Sequence, residues 1–157
     1  MNGPVGEQIG DAAIELGEVG SSLGFLLRMA QVKVFDQFYD KLAGHGLKPG
    51  EFTLLWVIGM NPGVRQGEIA RRLQIKPAHM TKLVQRNVDA GLLDRHVPED
   101  DRRAVNLVLT NAGEEFVAEK KPEFLNFIEL EKITLTGREF EQLISLLRKF
   151  NGMECRA

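Results

Sequence analysis

The segment from Lys76 to Gly113 changes its hydrophobic period twice, and this constrains the fold more than any other feature of the sequence. In "KPAHMTKLVQRNVDAG" apolar residues recur at helical spacing, with Pro77 in the first turn and Gly91 where a left-handed C-terminal residue is favoured. "LLDRHV" and "AVNLVLT" are short, β-prone runs joined by the turn-forming "PEDDRR". "TNAG" then returns to helix, so the segment predicts helix, β-hairpin and helix.

Further helices are predicted on both sides of this segment. "EFTLLWVIGM" and the shorter "QGEIARRLQI" precede it, after a long helix in which apolar residues recur at three- and four-residue steps: Leu23, Leu27, Ala30, Val34, Phe38 and Leu42. Pro122 should break or kink the helix that follows the hairpin. "TGRE" predicts a capping box that opens a last helix, with Phe140, Leu143, Leu147 and Phe150 facing inward.

Charge is distributed unevenly along a chain whose net charge is only -2. Residues 65–103 contain nine Lys or Arg against six Asp or Glu, a local net of +3 that leaves -5 for the rest. The 157 residues and 43% apolar composition are ordinary for one globular domain. A single cysteine excludes an internal disulfide framework, and no apolar run is long enough to span a bilayer. We therefore expect a cytoplasmic protein with no membrane association.

Two short helices, a β-hairpin and flanking long helices describe a winged helix-turn-helix, in which a helix fits the major groove and the hairpin reaches the backbone or minor groove. From about Phe25 onwards the sequence resembles the MarR (multiple antibiotic resistance regulator) family of transcription factors. The resemblance is sharpest in "DRRAVNLVLTNAG", which matches the family's wing pattern of Asp-x-Arg, an apolar strand, Leu-Thr and Gly. One departure is Asn87, which stands where the family usually has leucine. Either its side chain finds a backbone partner, or the helix packs less tightly.

The predicted fold class is mainly α with a small β-hairpin wing (α+β). Residues 1–20 are expected to form a loose arm that has room for one short helix, ahead of a single domain at 21–157. Within that domain the winged helix-turn-helix is predicted at about 50–112. The helices at about 21–44 and 113–157 have more apolar surface than a small DNA-binding domain can cover, which favours a self-complementary interface. The resemblance likewise implies a two-fold homodimer built by these helices. Such a dimer would bind a near-palindromic double-stranded operator.

Candidate DNA contacts lie on the polar face of the Lys76–Ala90 helix and in the hairpin. The resemblance implies that this helix reads bases and places these residues nearest the base edges: His79, Thr81, Lys82 and Gln85. It places Arg86 nearer the backbone. Helical periodicity puts four of these five on the polar face independently, with Thr81 at its border. Lys76 is a further candidate.

The resemblance also implies that Arg103 enters the minor groove, that Asp101 orients a neighbouring arginine, and that Arg102 contacts phosphate. Arg71 and Arg72 fit solvent or phosphate equally well. Each of these basic residues could also belong to an ordinary solvated surface.

An aromatic cluster predicts a small-molecule site at the junction of the dimerisation and DNA-binding parts. The candidate residues are Phe25, Arg28, Phe38, Tyr39, Phe52 and Trp56. Core packing is the competing interpretation for most of them. Aromatic walls with a few polar groups would suit an aromatic acid or its coenzyme A thioester as effector.

These patterns predict a ligand-responsive transcriptional repressor with no cofactor and no metal site. No enzymatic activity is expected, since the sequence contains no catalytic constellation. Two alternatives stay open. A redox-sensing regulator of the same fold would use Cys155, which neighbours Arg156. A winged-helix protein-interaction module would have lost DNA binding altogether.

Overall fold

The computed structural model describes residues 14–42, 48–99, 101, 104–126 and 133–153. It divides into two compact units, Met1–Lys33 and Val34–Ala157. A 3-10 helix at Gly17–Ser21 precedes α1, and the elements then follow in order: α1 (Leu23–Leu42), α2 (Pro49–Met60), β1 (Val64–Arg65), α3 (Gln66–Arg72), α4 (Pro77–Asp89), β2 (Leu93–His96), β3 (Asn106–Leu109), α5 (Asn111–Leu125) and α6 (Gly137–Phe150). None of the helices in the described ranges combines the length and the apolar character needed to cross a bilayer.

The strands form a small antiparallel sheet in the order β1-β3-β2. In β3, Leu107 pairs with Val64 of β1, while Leu109 pairs with Leu93 of β2. The β2–β3 hairpin confirms the predicted wing. The first strand was not predicted, because two residues are too few to show the alternation that marks a strand in sequence.

One hydrophobic core joins α2, α3 and α4 to the inner face of this sheet. Its buried members are Leu54, Leu55, Ile58, Ile69, Ala70, Met80, Leu83, Val84, Leu93 and Leu107. Burial of apolar surface stabilises by about 25 cal/mol per Å². The shared core therefore holds α4 in one position relative to the sheet.

The C-terminal end of α4 is built by Asn87 and Gly91. Asn87 is buried, and its side-chain Nδ2 donates a hydrogen bond of 2.8 Å to the carbonyl of Leu83. Of the two alternatives for this residue, the structure shows the backbone partner. Gly91 adopts a positive φ of 72°, as predicted, because a residue without Cβ enters the left-handed region at little cost.

A second cluster is aromatic and joins α1, α2 and α5. Phe38 and Phe52 are buried, and the Phe124 ring lies 5.7 Å from the first and 4.7 Å from the second, between ring centroids. Phe124 reaches this position because α5 continues through Pro122 to Leu125. Of the two expected effects of the proline, a break is wrong, and a kink stays a prediction. The proline lacks one backbone N–H donor, and α5 continues without that hydrogen bond.

The last helix, α6, opens with the predicted capping box. The Thr136 hydroxyl accepts from the Glu139 backbone N–H, and the Glu139 carboxylate accepts from the Thr136 backbone N–H at 2.8 Å. That backbone hydrogen bond lowers the pKa of Glu139, because it favours the charged carboxylate. Phe140 and Leu147 are half-buried, whereas Leu143 and Phe150 are exposed. The expectation that all four face inward is therefore wrong within a single chain.

Candidate DNA-binding surface

The predicted reading face of α4 is exposed to solvent. Its opposite face is buried in the core through Met80, Leu83 and Val84, so the polar side chains face outward: Lys76, His79, Thr81, Lys82, Gln85 and Arg86. The Thr81 hydroxyl donates to the Pro77 carbonyl at 3.1 Å, which leaves its oxygen as an acceptor. The helix thus presents cationic and hydrogen-bonding groups together on one face.

Gln85 is held at both ends of its side-chain amide. Its Nε2 donates to Oδ1 of Asp89 at 2.6 Å, one helical turn further on, and its Oε1 accepts from the Arg95 guanidinium of strand β2. Arg95 was not among the predicted site residues. The two residues are ten positions apart and belong to different elements. The contact depends on the geometry of the turn between them, which no signal in the sequence indicates.

Arg86 has a partner inside the protein. Its guanidinium pairs with the carboxylate of Glu51, a buried residue in the first turn of α2, while about half of the Arg86 side chain stays exposed. The pair joins α4 to α2 across 35 residues of sequence. Loss of Arg86 would leave the buried carboxylate without this partner, so part of its role is structural. A phosphate contact by the exposed part stays a prediction.

The base of the wing brings together Arg65 and Asp101. Nη1 of Arg65 lies 3.4 Å from Oδ2 of Asp101, and both side chains are partly exposed. Arg65 was not predicted to belong to the site. The expected partners of Asp101, Arg102 and Arg103, lie outside the described residues. Orientation of an arginine by Asp101 therefore stays a prediction.

A cleft of about 570 Å³ lies between α3 and the base of the wing. Arg65 and Arg71 both line it, together with Gln66, Gly67, Glu68, Asp101, Ala104 and Val105. Arg71 and Arg72 are exposed, as predicted for the outward face of α3. Two carboxylates, Glu68 and Asp101, share the lining with the two arginines, so the charges balance and only the exposed guanidinium groups favour phosphate oxygens.

The junction between wing and α5 explains the Leu-Thr and Gly part of the wing pattern. Thr110 caps α5: its Oγ1 accepts from the Gly113 N–H at 3.0 Å and donates to the Gly91 carbonyl at 2.6 Å. A Cβ on Gly113 would lie 2.0 Å from the Leu92 carbonyl oxygen. Thr110 and Gly113 thus hold the start of α5 close to the backbone of Gly91 and Leu92, in the loop that follows α4.

A cavity of about 320 Å³ adjoins the aromatic cluster of the second unit. Its lining is mostly apolar and consists of Val34, Phe35, Phe38, Gly50, Thr53, Leu73, Ile75 and Phe124. Of the predicted effector residues, Phe38 lines the cavity, and Phe52 and Trp56 pack in the adjoining cluster. The exposed Tyr39 makes an edge contact with Phe38, at 6.1 Å between ring centroids. Phe25 and Arg28 belong to the first unit, and their part in an effector site stays a prediction.

Sequence reasoning missed several lining residues of this cavity. Leu73 and Ile75 come from the turn between α3 and α4, and Thr53 is a polar residue on an otherwise apolar helix. The prediction took the walls of the site from aromatic residues and its polar groups from Tyr39 and Arg28. A helical wheel of α2 would have placed Thr53 one turn from Trp56 and could have indicated it.

Comparison with known proteins identifies the family. A family model described as "MarR family" matches residues 45–104. The solved structure of the transcriptional repressor CouR bound to a 23-mer DNA duplex superposes with a TM-score of 0.78 and 31% identity, covering 88% of this chain and 98% of that one. The chain belongs to the MarR family. It is therefore a winged helix-turn-helix, DNA-binding transcriptional regulator of a non-enzymatic family.

Curated relatives agree with this assignment to the MarR family. A putative transcriptional regulatory protein for the hcr operon of Thauera aromatica is 29% identical over 134 residues, which cover 85% of this chain and 81% of that protein. The transcriptional repressor MdtR of Bacillus subtilis (strain 168) is 26% identical over 108 residues, which cover 64% and 70%. The predicted fold and family are confirmed, and the individual site residues stay predictions.

Proposed function

We propose that this MarR-family protein is a ligand-responsive repressor that binds a near-palindromic operator as a homodimer. The observation that carries the proposal is the solvent-facing side of α4, which carries Lys82 and His79 while its other side forms the core. A helix supported in this way can enter the major groove without loss of packing. A cytoplasmic location follows from access to DNA.

The contacts divide by chemistry into base reading and backbone binding. His79, Thr81, Lys82 and Gln85 lie along the exposed face and are proposed to approach base edges. Backbone contacts are proposed for these cationic side chains: Lys76, Arg86, Arg102 and Arg65. Arg103 is proposed to enter the minor groove. The relative CouR, whose structure contains a DNA duplex, supports this use of the fold.

Exposed apolar side chains support the homodimer. In α6 and the residues after it, Leu143, Leu146, Phe150 and Met153 recur at three- and four-residue steps and are each at least 39% exposed. In the first unit, exposed apolar residues include Leu23, Leu26, Met29 and Val32. Contiguous apolar surface of this kind marks an interaction site, and a second copy of the chain supplies a matching face by symmetry.

Leu146→Glu should therefore weaken the dimer. Because the charge would be desolvated in the interface, we expect the dimer dissociation constant to rise at least about tenfold, or about 1.4 kcal/mol. Sedimentation of the wild type should give about twice the 17.6 kDa chain mass. Ser145→Glu, which places the same charge on the polar side of α6, should leave the dimer intact. A folded wild-type monomer at micromolar concentration, or an enriched operator without two-fold symmetry, would contradict the proposal.

The cavity beside Phe38 is the proposed effector site. Its volume of about 320 Å³ is near the lower end of the range for small-molecule sites and would hold one aromatic ring with a short side chain. A coenzyme A thioester would place only its acyl group there. The ligand would lower operator affinity only if it binds more tightly to a dimer conformation in which the two DNA-binding domains are spaced less favourably for the operator.

An aromatic acid that binds this cavity should raise the melting temperature. At about 100 times its dissociation constant it stabilises by about 2.7 kcal/mol, or about 5–10 °C for a chain of this size. Gly50 lines the cavity, and a Cβ there meets no atom within 4 Å. Gly50→Leu should therefore abolish the shift by filling the cavity while preserving operator binding. A shift that persists in this variant would place the ligand elsewhere, and no shift with any aromatic acid or thioester would exclude that class.

A further inference from the structure

We propose that Arg95, on strand β2, is a positioning residue that fixes the amide of Gln85 and thereby sets a preference for adenine over guanine at one position of each operator half-site. The inference rests on the proposed role of α4 in reading bases. It concerns how that face discriminates between bases, which the exposure of the helix alone does not determine.

The three side chains involved form one chain of hydrogen bonds on the exposed surface. Arg95 donates from its guanidinium to Oε1 of Gln85, and Nε2 of Gln85 donates to Oδ1 of Asp89 at 2.6 Å. Arg95 comes from the wing sheet, whereas the other two residues lie on α4. Since β2 is anchored through buried Leu93, the guanidinium is presented to α4 from a fixed strand.

The chemistry of the two partners allows only one orientation of the amide. A guanidinium has donors and no acceptor, and an ionised carboxylate has acceptors and no donor. If the Gln85 amide rotated by half a turn, its NH₂ would face the guanidinium and its oxygen would face the carboxylate. Both hydrogen bonds would then be replaced by repulsive contacts, so the network holds Oε1 towards β2 and Nε2 towards Asp89.

The groups that remain on the amide match adenine. Oε1 keeps one lone pair after it accepts from Arg95, and Nε2 keeps one N–H after it donates to Asp89. In the major groove adenine offers one donor and one acceptor, N6–H and N7, whereas guanine offers two acceptors, O6 and N7. One free acceptor beside one free donor can bind adenine through two hydrogen bonds. Guanine would need two donors from the same amide.

Removal of the Arg95 side chain should change the preference for adenine over guanine and not only the overall affinity for the operator. The Arg95 guanidinium is engaged with Gln85, so removal of the side chain would free the amide to rotate. A freely rotating amide can present either end to either atom of the base. The discrimination between adenine and guanine should then fall, while the other contacts of α4 persist.

The test begins with the operator that wild-type protein selects from a pool of duplexes with a randomised centre. Binding to this operator and its adenine-to-guanine variants is then measured for Gln85→Ala, Arg95→Met, Arg95→Lys and the double variant, with folding checked by circular dichroism. A full bidentate contact discriminates by about tenfold or more. Arg95→Met should reduce the preference about three- to tenfold at the same position as Gln85→Ala, and Arg95→Lys should retain part of it because the ammonium also donates.

The double variant separates positioning from direct contact. If Arg95 acts through Gln85, Arg95→Met should change the preference no further in the Gln85→Ala background. A uniform loss of affinity that persists in that background would instead identify Arg95 as a phosphate contact and overturn the inference. Arg138→Met, which removes an exposed arginine from the first turn of α6, controls for the loss of one positive charge.

Failure of the inference can be told apart from failure of the proposed function. If Gln85→Ala shifts base preference and Arg95→Met does not, only the role of Arg95 is contradicted. If wild-type protein enriches no site, or Lys82→Ala and Gln85→Ala leave affinity and preference unchanged, α4 is not the reader and both proposals fall.

Discussion

Replacing Gly113 by alanine should lower the free energy of unfolding by about 2–4 kcal/mol, since overpacking against backbone forces the chain to shift. The new Cβ would lie 2.0 Å from the Leu92 carbonyl oxygen. Leu92 cannot move away easily. Its carbonyl accepts from the Thr110 N–H at 3.2 Å, and its own N–H donates to the Asn87 carbonyl at 3.0 Å.

Urea denaturation followed by circular dichroism measures this effect. Gly137→Ala is the matched control, because Gly137 also lies in the first turn of a threonine-capped helix and a Cβ there meets nothing within 4 Å. That variant should be neutral or more stable by up to about 1 kcal/mol, since alanine reduces the entropy of the unfolded chain. Equal stability of the two variants would contradict the tight junction between the wing and α5.

Residues with local signals were predicted well from the sequence. Pro77 and Gly91 mark the two ends of α4, and the capping box at Thr136 marks the start of α6, because caps and helix-terminating residues act within one turn of the chain. Most of the polar face of α4 followed from periodicity, and Thr81, at its border, came from the family resemblance. A helical period determines which side chains share a face before any tertiary contact is known.

Contacts between distant elements could not be predicted in this way. Glu51 and Arg86 are 35 residues apart, and neither residue type indicates its partner. The same holds for Arg95 and Gln85, which meet only because β2 returns alongside α4. The glycine at 113 belonged to the predicted wing pattern, but its cause, the approach of the Leu92 backbone, is a tertiary contact. The cavity beside Phe38 likewise depends on a turn from another part of the chain.

Arg103→Ala should reduce operator affinity at least about tenfold, or about 1.4 kcal/mol. A narrow, A·T-rich minor groove concentrates negative potential, and an inserted guanidinium binds there more strongly than at an open surface. Of the described residues beside it, Asp101 and Ala104 are joined by a hydrogen bond of 2.9 Å from the Ala104 N–H to the Asp101 carbonyl. Asp101→Ala should also lower operator affinity, but by less, because Asp101 is proposed to orient an arginine and not to contact DNA itself. Its observed partner is Arg65, at the base of the wing.

Operator affinity across a salt series tests the DNA-binding role of α4 and the wing most directly. Positive charge that displaces counterions from the duplex makes the logarithm of affinity fall linearly with the logarithm of salt concentration, with a slope of about -0.9 per phosphate neutralised. Folded Arg103→Ala should bind at least about tenfold more weakly with a slope shallower by about 1 per protomer, whereas Arg138→Ala should match the wild type. Unchanged affinity and slope for folded Arg103→Ala would remove the wing from the interface, and salt-independent binding by the wild type would contradict the electrostatic basis of the whole surface.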